Sequence, residues 1–245
     1  QDGKLREKIA QYLAGSGFNE ILTNSITNSA WFTEEQLNSS VKMLNNLSSE
    51  LDILRPAMLE TGLSVLAYNL NRKNSNLQFF EWGKTYHQQE IGAYAEIPRF
   101  CLYLTGEYTP ASWRSNSSSS DLFVLKGLIG KIAAAAGLPE LKWEKGTSPG
   151  LTNCLIIQSG SRQIGIAGQV SANKSAQFDI RQPVFFADLN WQILLELSGK
   201  NKISFRELPR QIPVQRDLAM VVARQLPYGS IEAAVHQASV GKLKK

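Results

Sequence analysis

The 245-residue chain is 43% hydrophobic and 19% charged, enough apolar material to bury a core as one large or two smaller domains. No apolar run approaches the roughly 18 residues of a membrane-spanning helix, and no charged-then-apolar leader precedes the first helical pattern, which argues against membrane and secreted classes and points to the cytoplasm. The net charge of +5 is local: residues 1–200 carry 18 basic and 18 acidic side chains, whereas 201–245 carry eight basic and three acidic.

The first residue is Gln1 rather than Met, and helical periodicity is already under way at Leu5, so the chain is expected to be a segment of a longer protein. Leu5, Ile9, Tyr12 and Leu13 share one helical face, and Gly15 and Gly17 stop that helix. Residues 20–26 (EILTNSI) read as a strand, and Ser29 as the cap of a short helix running through Glu34 to Leu37. Met58, Leu59, Leu63, Leu66 and Leu70 line a helix predicted over 57–71, with Pro56 in its first turn. Strands follow at 77–83, 84–87 and 98–108, rich in aromatic and apolar residues and placed as neighbours in an antiparallel sheet.

The run SNSSSS, 115–120, has nothing to bury and is expected as a flexible loop, after which Asp121 caps a helix beginning LFVLKGL. Further strands are predicted at CLIIQ (154–158) and RQIGIAGQV (162–170). Residues 184–197 switch from strand to helix with Asn190 as the cap. Strands clustered between helices, without βαβ repetition, indicate an α+β fold. A boundary falls near 199–213, giving domains 1–203 and 204–245. The second is only half a domain: a strand at 216–224, a turn at 227–229 and a helix from Ser230 with Ile231, Ala234, Val235 and Ala238 on one face.

Cys101 and Cys154 sit inside apolar strand runs and read as buried thiols. His87 and His236 are too few and too separated to suggest a zinc site. The basic tail is either a solvated surface with a lysine-rich end or a phosphate-facing patch, and charge alone does not separate the two.

Residues 44–86, LNNLSSELDILRPAMLETGLSVLAYNLNRKNSNLQFFEWGKTY, carry a specific pattern. It comprises an Asn-Leu-Ser-Ser-Glu opening, Arg55 before a long helix, Asn69-Leu-Asn71-Arg72 at its end, and then Phe80-Glu81-x-Gly83. Further blocks follow in order: Trp113, the Leu-Lys126-Gly127 step, IGIAGQV with Gly165 and Gly168, and PRQIPVQRDLAMVV at 209–222. This order resembles the β subunits of bacterial-type phenylalanyl-tRNA synthetases over nearly the whole chain. The resemblance implies a class II synthetase-like antiparallel sheet flanked by helices, followed by the start of a ferredoxin-fold anticodon-binding domain.

It also implies a job without chemistry. A working class II site needs an Arg-x-Glu after the Phe-Glu-x-Gly turn and a later glycine-rich stretch ending in Arg, fixed cations for the phosphates of ATP. Here Gly83 is followed by Lys84-Thr85-Tyr86-His87-Gln88-Gln89, and the glycines of IGIAG by Gln169-Val170. Where many relatives have Leu-His-Pro, this chain has Val170-Ser171-Ala172. Lys84 as a substitute cation competes with the commoner solvated edge lysine. Neither a catalytic residue, nor a cofactor, nor a metal is therefore assigned to the segment. ATP and Mg2+ are implied only for the complete enzyme, an α2β2 assembly with a catalytic α subunit and tRNA as partners. Arg206, Arg210 and Arg216 are the candidate tRNA backbone contacts.

The remaining motif residues have structural readings. Arg55 anchors the start of its helix through a buried ion pair, Asn69 and Asn71 cap carbonyls, and Glu81 bonds Arg72. Two other functions stay open at this point: an independent class II-like ligase that activates a small acid with ATP, and a free-standing RNA-binding module built on the tail.

Overall fold

Every side chain from Phe100 to Leu104 is inaccessible to solvent. A strand with no exposed position must be covered on both faces, and the computed structural model shows how. It describes residues 2–46, 48, 50–90, 92–198 and 217–238. The chain divides into two compact units, 1–202 and 203–245.

In the first unit the elements run α1 (Asp2–Gly15), β1 (Asn19–Glu20), β2 (Ile26–Thr27), a 3-10 turn (Ser29–Trp31), α2 (Glu34–Asn38), β3 (Val41–Lys42), β4 (Ile53–Leu54) and α3 (Leu59–Leu70). Next come β5 (Leu77–Glu90), β6 (Ala93–Thr105), β7 (Glu107–Thr109), β8 (Ser118–Ser119), α4 (Leu122–Ala135), β9 (Leu141–Lys145) and β10 (Leu151–Ser159). The unit is completed by β11 (Arg162–Val170), α5 (Ala172–Gln177), β12 (Val184–Asn190) and α6 (Trp191–Ser198). Seven strands form one sheet in the order β1-β5-β6-β12-β11-β10-β9, antiparallel except where the short β1 lies parallel to β5. The expected α+β architecture is thus observed.

Side chains alternate across the sheet. Phe80, Phe100, Leu102, Leu104, Ala167, Phe185 and Leu189 face α1, α4 and α6, where Ile9, Leu13, Leu125, Ile129 and Trp191 complete one core. Phe79, Cys101, Tyr103, Val184 and Phe186 face the other way, onto Met58 at the cap of α3, Leu59, Leu63 and Leu66 within it, and Phe178 beyond α5. Gly62 makes the second contact close: a β-carbon there would overlap the Tyr103 ring, whose hydroxyl donates to the Met58 carbonyl at 2.8 Å. A helix-interior glycine costs about 1 kcal/mol, and here it lets α3 lie directly on the strand.

Several expectations are corrected. Residues 20–26 do not form one strand; only β1 and β2 at either end are extended in a ladder. Thr33, not Ser29, caps α2, because Gln36 completes a reciprocal capping box with it. α3 begins at Leu59, so Pro56 precedes the helix instead of sitting in its first turn. The segments 77–83 and 84–87 are one 14-residue strand, since Gly83 stays in register opposite Arg99 and does not break the ladder. Ser118 and Ser119 of the serine run pair with β7. β9 and α5 were not foreseen: a five-residue edge strand and a six-residue helix carry too few turns of pattern to declare themselves. The caps at Asp121 and Asn190 are as expected, accepting from Val124 N–H at 2.6 Å and Ile193 N–H at 3.1 Å.

In the second unit, α7 (Tyr228–Gln237) starts two residues before Ser230, with Pro227 as its cap. Residues 217–224 are not a strand, which corrects the extended reading of that stretch.

Two helices end in left-handed residues that are not glycine. Lys73 (φ 68°) closes α3, with Asn74 N–H on the Asn69 carbonyl and Lys73 N–H on that of Leu70. Asp179 (φ 56°) closes α5 in the same way, through Ile180 to Ser175 and Asp179 to Ala176. This Schellman geometry favours glycine, so Lys73→Gly and Asp179→Gly should each raise stability by up to about 1 kcal/mol in urea unfolding.

Candidate functional site

On the sheet face covered by α3, three cations meet three carboxylates. The first pair is the most buried. Arg55 follows β4 and is 2% exposed; its Nη1 lies 3.1 Å from Oε1 of Glu81, which is 0% exposed. Arg55 Nε donates to the Lys84 carbonyl at 2.8 Å, and Nη1 also donates to Thr23 Oγ1. Glu81 accepts from Thr23 N–H at 3.0 Å and from its hydroxyl at 2.8 Å. One carboxylate thereby fixes three stretches that are remote in sequence: residue 23, residue 55 and strand β5. Gly83 completes the fit, since a β-carbon there would strike Met58 and Arg55.

The second pair joins α3 to α5. Lys174 Nζ lies 2.9 Å from Glu60 Oε1, with the two side chains 9% and 1% exposed, and also donates to the Trp31 carbonyl at 2.6 Å. Burial pushes the Glu60 carboxyl above its ordinary range, and Lys174 opposes that rise. The third pair is looser: Arg99 Nη1 stands 3.6 Å from Asp188 Oδ1. Burial raises the Asp188 carboxyl against the pull of Arg99. Burial, then Asp188, pushes the Cys101 thiol well up, which makes it unreactive. Thr85 Oγ1 links Arg99 Nε (3.5 Å) to His87 Nε2 (3.2 Å).

The space left on this face is small. A cavity of about 50 Å3 lies between Met58–Glu60, Ser148–Leu151, Ile166, Phe186 and Asp188. Ligand pockets usually run from about 300 to 1,000 Å3. A larger open concavity of about 810 Å3 lies at the other ends of α3 and α5, lined by Leu70, Asn71, Ser75 and residues 179–182, away from all three ion pairs. Among the described residues no three His, Cys, Asp or Glu side chains converge as metal ligands. The residues on this face do not fit ATP: its three cations are held by carboxylates and its cavity is too small for a nucleotide.

The sequence motif residues are distributed more widely. Arg55, Glu81 and Gly83 come together. Phe80 faces the opposite core, edge-on to Trp82 at 5.2 Å. Arg72 does not reach Glu81; it donates to the Tyr68 carbonyl at 3.0 Å and stacks over the Tyr68 ring, because Glu81 is already enclosed by Arg55 and Thr23. Asn69 Nδ2 donates to the Val65 carbonyl at 2.9 Å, and Asn71 ends α3. Trp113 is 97% exposed at the apex of a turn closed by Ser112 and Ser115. Lys126 lies 4.9 Å over the Trp143 ring, and Gly127 is on the solvent side of α4. Gly165 and Gly168 pack tightly against the strands beside β11. Lys84 is tied to Glu96 at 2.6 Å on the exposed hairpin. Arg206, Arg210 and Arg216 lie outside the described residues. Glu60, Lys174, Arg99 and Asp188 were missed. Glu60 was the most legible, as the lone charge in an apolar helix face.

Removing one member of the Arg55–Glu81 pair strands the other without solvent. Arg55→Met is expected to cost about 3–5 kcal/mol in urea unfolding, and Arg55→Met combined with Glu81→Leu clearly less than the single change. His87 is held below its ordinary pKa by burial and then by Arg99, so the folded state resists protonation. Stability present above about pH 6.5 is therefore lost as pH falls through that value toward the lower folded pKa. His87→Gln should flatten that acid-side slope by less than about 1 kcal/mol, read from melting curves at stepped pH.

Comparison with known proteins adds identity to this geometry. The family model of the phenylalanyl tRNA synthetase beta chain CLM domain matches residues 1–191. The phenylalanine–tRNA ligase beta subunit of Porphyromonas gingivalis is 32% identical over 94% of this chain, which corresponds to 30% of that protein. That of Bacteroides fragilis is 30% identical over 100% of this chain and 32% of its own length. The chain thus spans about a third of the length of these curated relatives. Among solved structures, a pyrrolysyl-tRNA synthetase from Desulfitobacterium hafniense superposes with a TM-score of 0.62 at 21% identity, covering 81% of this chain and 69% of that one. That likeness is one of fold, the class II synthetase sheet with its flanking helices. The chain belongs to the phenylalanyl-tRNA synthetase β chain CLM domain family.

Proposed function

We propose that this chain is a non-catalytic segment of a phenylalanine–tRNA ligase β subunit that assembles with the catalytic α subunit and helps position tRNA. The observation that carries the reading is the sheet face itself. Adenylate formation needs cations free to meet phosphate oxygens. Here Arg55, Lys174 and Arg99 each face a carboxylate, and about 50 Å3 remains between the elements. A sheet closed in this way offers shape and rigidity to an assembly, and its family relatives carry the ligase name. ATP and Mg2+ then belong to the α subunit in an α2β2 enzyme working in the cytoplasm. Among the described residues no helix is long and apolar enough to cross a membrane.

The tail, 204–245, is the start of the anticodon-binding domain in this reading. What supports it is charge: the whole net excess of +5 lies in residues 201–245. Arg206, Arg210 and Arg216 are its proposed phosphate contacts.

In the assembled enzyme, Arg99→Gln should leave ATP–pyrophosphate exchange within about twofold of the parent, since each tenfold loss corresponds to about 1.4 kcal/mol of lost transition-state binding. A loss of exchange that leaves assembly intact would instead place this face at the reaction. Arg210→Glu with Arg216→Glu should weaken tRNA binding and lower the salt slope by about one unit per lost phosphate contact, measured by filter binding across a salt series. An unchanged slope would remove the tail from the tRNA interface.

A further inference from the structure

The open concavity of about 810 Å3 beyond the ends of α3 and α5 takes no part in the three ion pairs. Its volume lies within the usual range of ligand pockets, about 300 to 1,000 Å3. The lining has a chemical pattern. Leu70 is half-buried and Ile180 is 4% exposed, and both pack with the core under α3, so they give the concavity an apolar base. Around them stand Asn71, Asp179 and Arg181, all exposed, and the half-buried Gln182. The walls are held in place. Gln182 Nε2 donates to the Ser75 carbonyl and to Thr105 Oγ1, each at 2.7 Å, and the Ile180 N–H closes α5 on the Ser175 carbonyl at 3.0 Å.

An acid and a base share this lining without meeting. Neither the Asp179 carboxylate nor the Arg181 guanidinium has a hydrogen-bond or ion-pair partner among the described residues. Two positions apart in the chain, their α-carbons are separated by at most about 7 Å. Asp179 is also kept there at a cost to the fold, since its φ of 56° is one that glycine adopts more readily. A charged side chain held in such a backbone, with no partner inside the molecule, marks a binding position.

Charge decides the class of ligand. α3 and α5 both end at this wall, and a helix C-terminus carries partial negative charge, to which Asp179 adds a full one. A phosphate is repelled there, and Arg181 is the one cation among the lining residues to hold it. A simple cation is in turn opposed by Arg181. A ligand with an ammonium and a carboxylate a few bonds apart satisfies both groups at once, and the apolar base receives its side chain. We propose that this concavity binds a free α-amino acid with an apolar side chain: ammonium on Asp179, carboxylate on Arg181, side chain against Leu70 and Ile180. The inference does not rest on the proposed function.

Equilibrium dialysis of the whole chain against radiolabelled L-leucine and L-phenylalanine tests it. Saturable binding of at least one is expected. Converting the ligand's carboxylate to an amide, or acetylating its amine, should weaken binding by about tenfold or more, the usual size of a lost charged hydrogen bond. Arg181→Gln should copy the first effect. Asp179→Gly should copy the second while raising the urea midpoint, so that lost binding cannot be lost folding. No saturable binding of either amino acid would overturn the proposal. Equal binding of the amide would make this an amine site, and unchanged binding by Asp179→Gly would take the carboxylate out of it; each result overturns the assignment.

Discussion

The buried pair of Arg55 and Glu81, with Thr23 between them, ties together three stretches of chain that are remote in sequence. Arg55 sits between β4 and α3, Glu81 lies in the middle of β5, and Thr23 reaches both from the connection after β1. Charges this deeply buried are costly unless they are closely paired and hydrogen-bonded. The backbone around them is therefore constrained: the Lys84 carbonyl must face Arg55, residue 83 must lack a side chain, and the Thr23 N–H must point at Glu81. Once these are in place, α3 starts at a set point above the sheet, and Met58, Leu63 and Leu66 descend onto Phe79, Tyr103 and Phe186.

The two faces of the sheet are consequently different in kind. The face under α1, α4 and α6 is held by an apolar and aromatic core, with Trp82, Phe100 and Trp191 in mutual contact at 4.7 to 5.9 Å. The face under α3 combines apolar packing with three ion pairs that draw its cations inward. The first kind of contact contributes stability with little directional demand. The second fixes positions, and each pair also removes a positive side chain from any role toward a phosphate. The sheet face under α3 is closed by its own carboxylates.

Much of this was legible in the residues. The apolar runs announced most of the long strands, Asp121 and Asn190 announced their helices, and Arg55 ahead of a long helix was read as half of a buried ion pair. Arg55 was given no partner and Glu81 was paired with Arg72, which is nearer in sequence, whereas the sheet brings Arg55 to Glu81 from 26 residues away. Lys174 and Asp188 gave no local sign, since their meaning lies in what crosses the sheet from other strands. Short elements such as β9 and α5 were missed because five or six residues carry less than two turns of periodicity. The cap of α2 was placed at Ser29 because the stronger Thr33 box depends on Gln36, a residue that also reads as ordinary helix surface.

Nucleotide binding by this sheet face is the most direct measure of whether it is closed. Equilibrium dialysis of the protein by itself against Mg-ATP should show no saturable uptake. Saturable binding that is abolished by Arg99→Gln would contradict the account, because it would mean that a cation assigned to a carboxylate is free to hold phosphate.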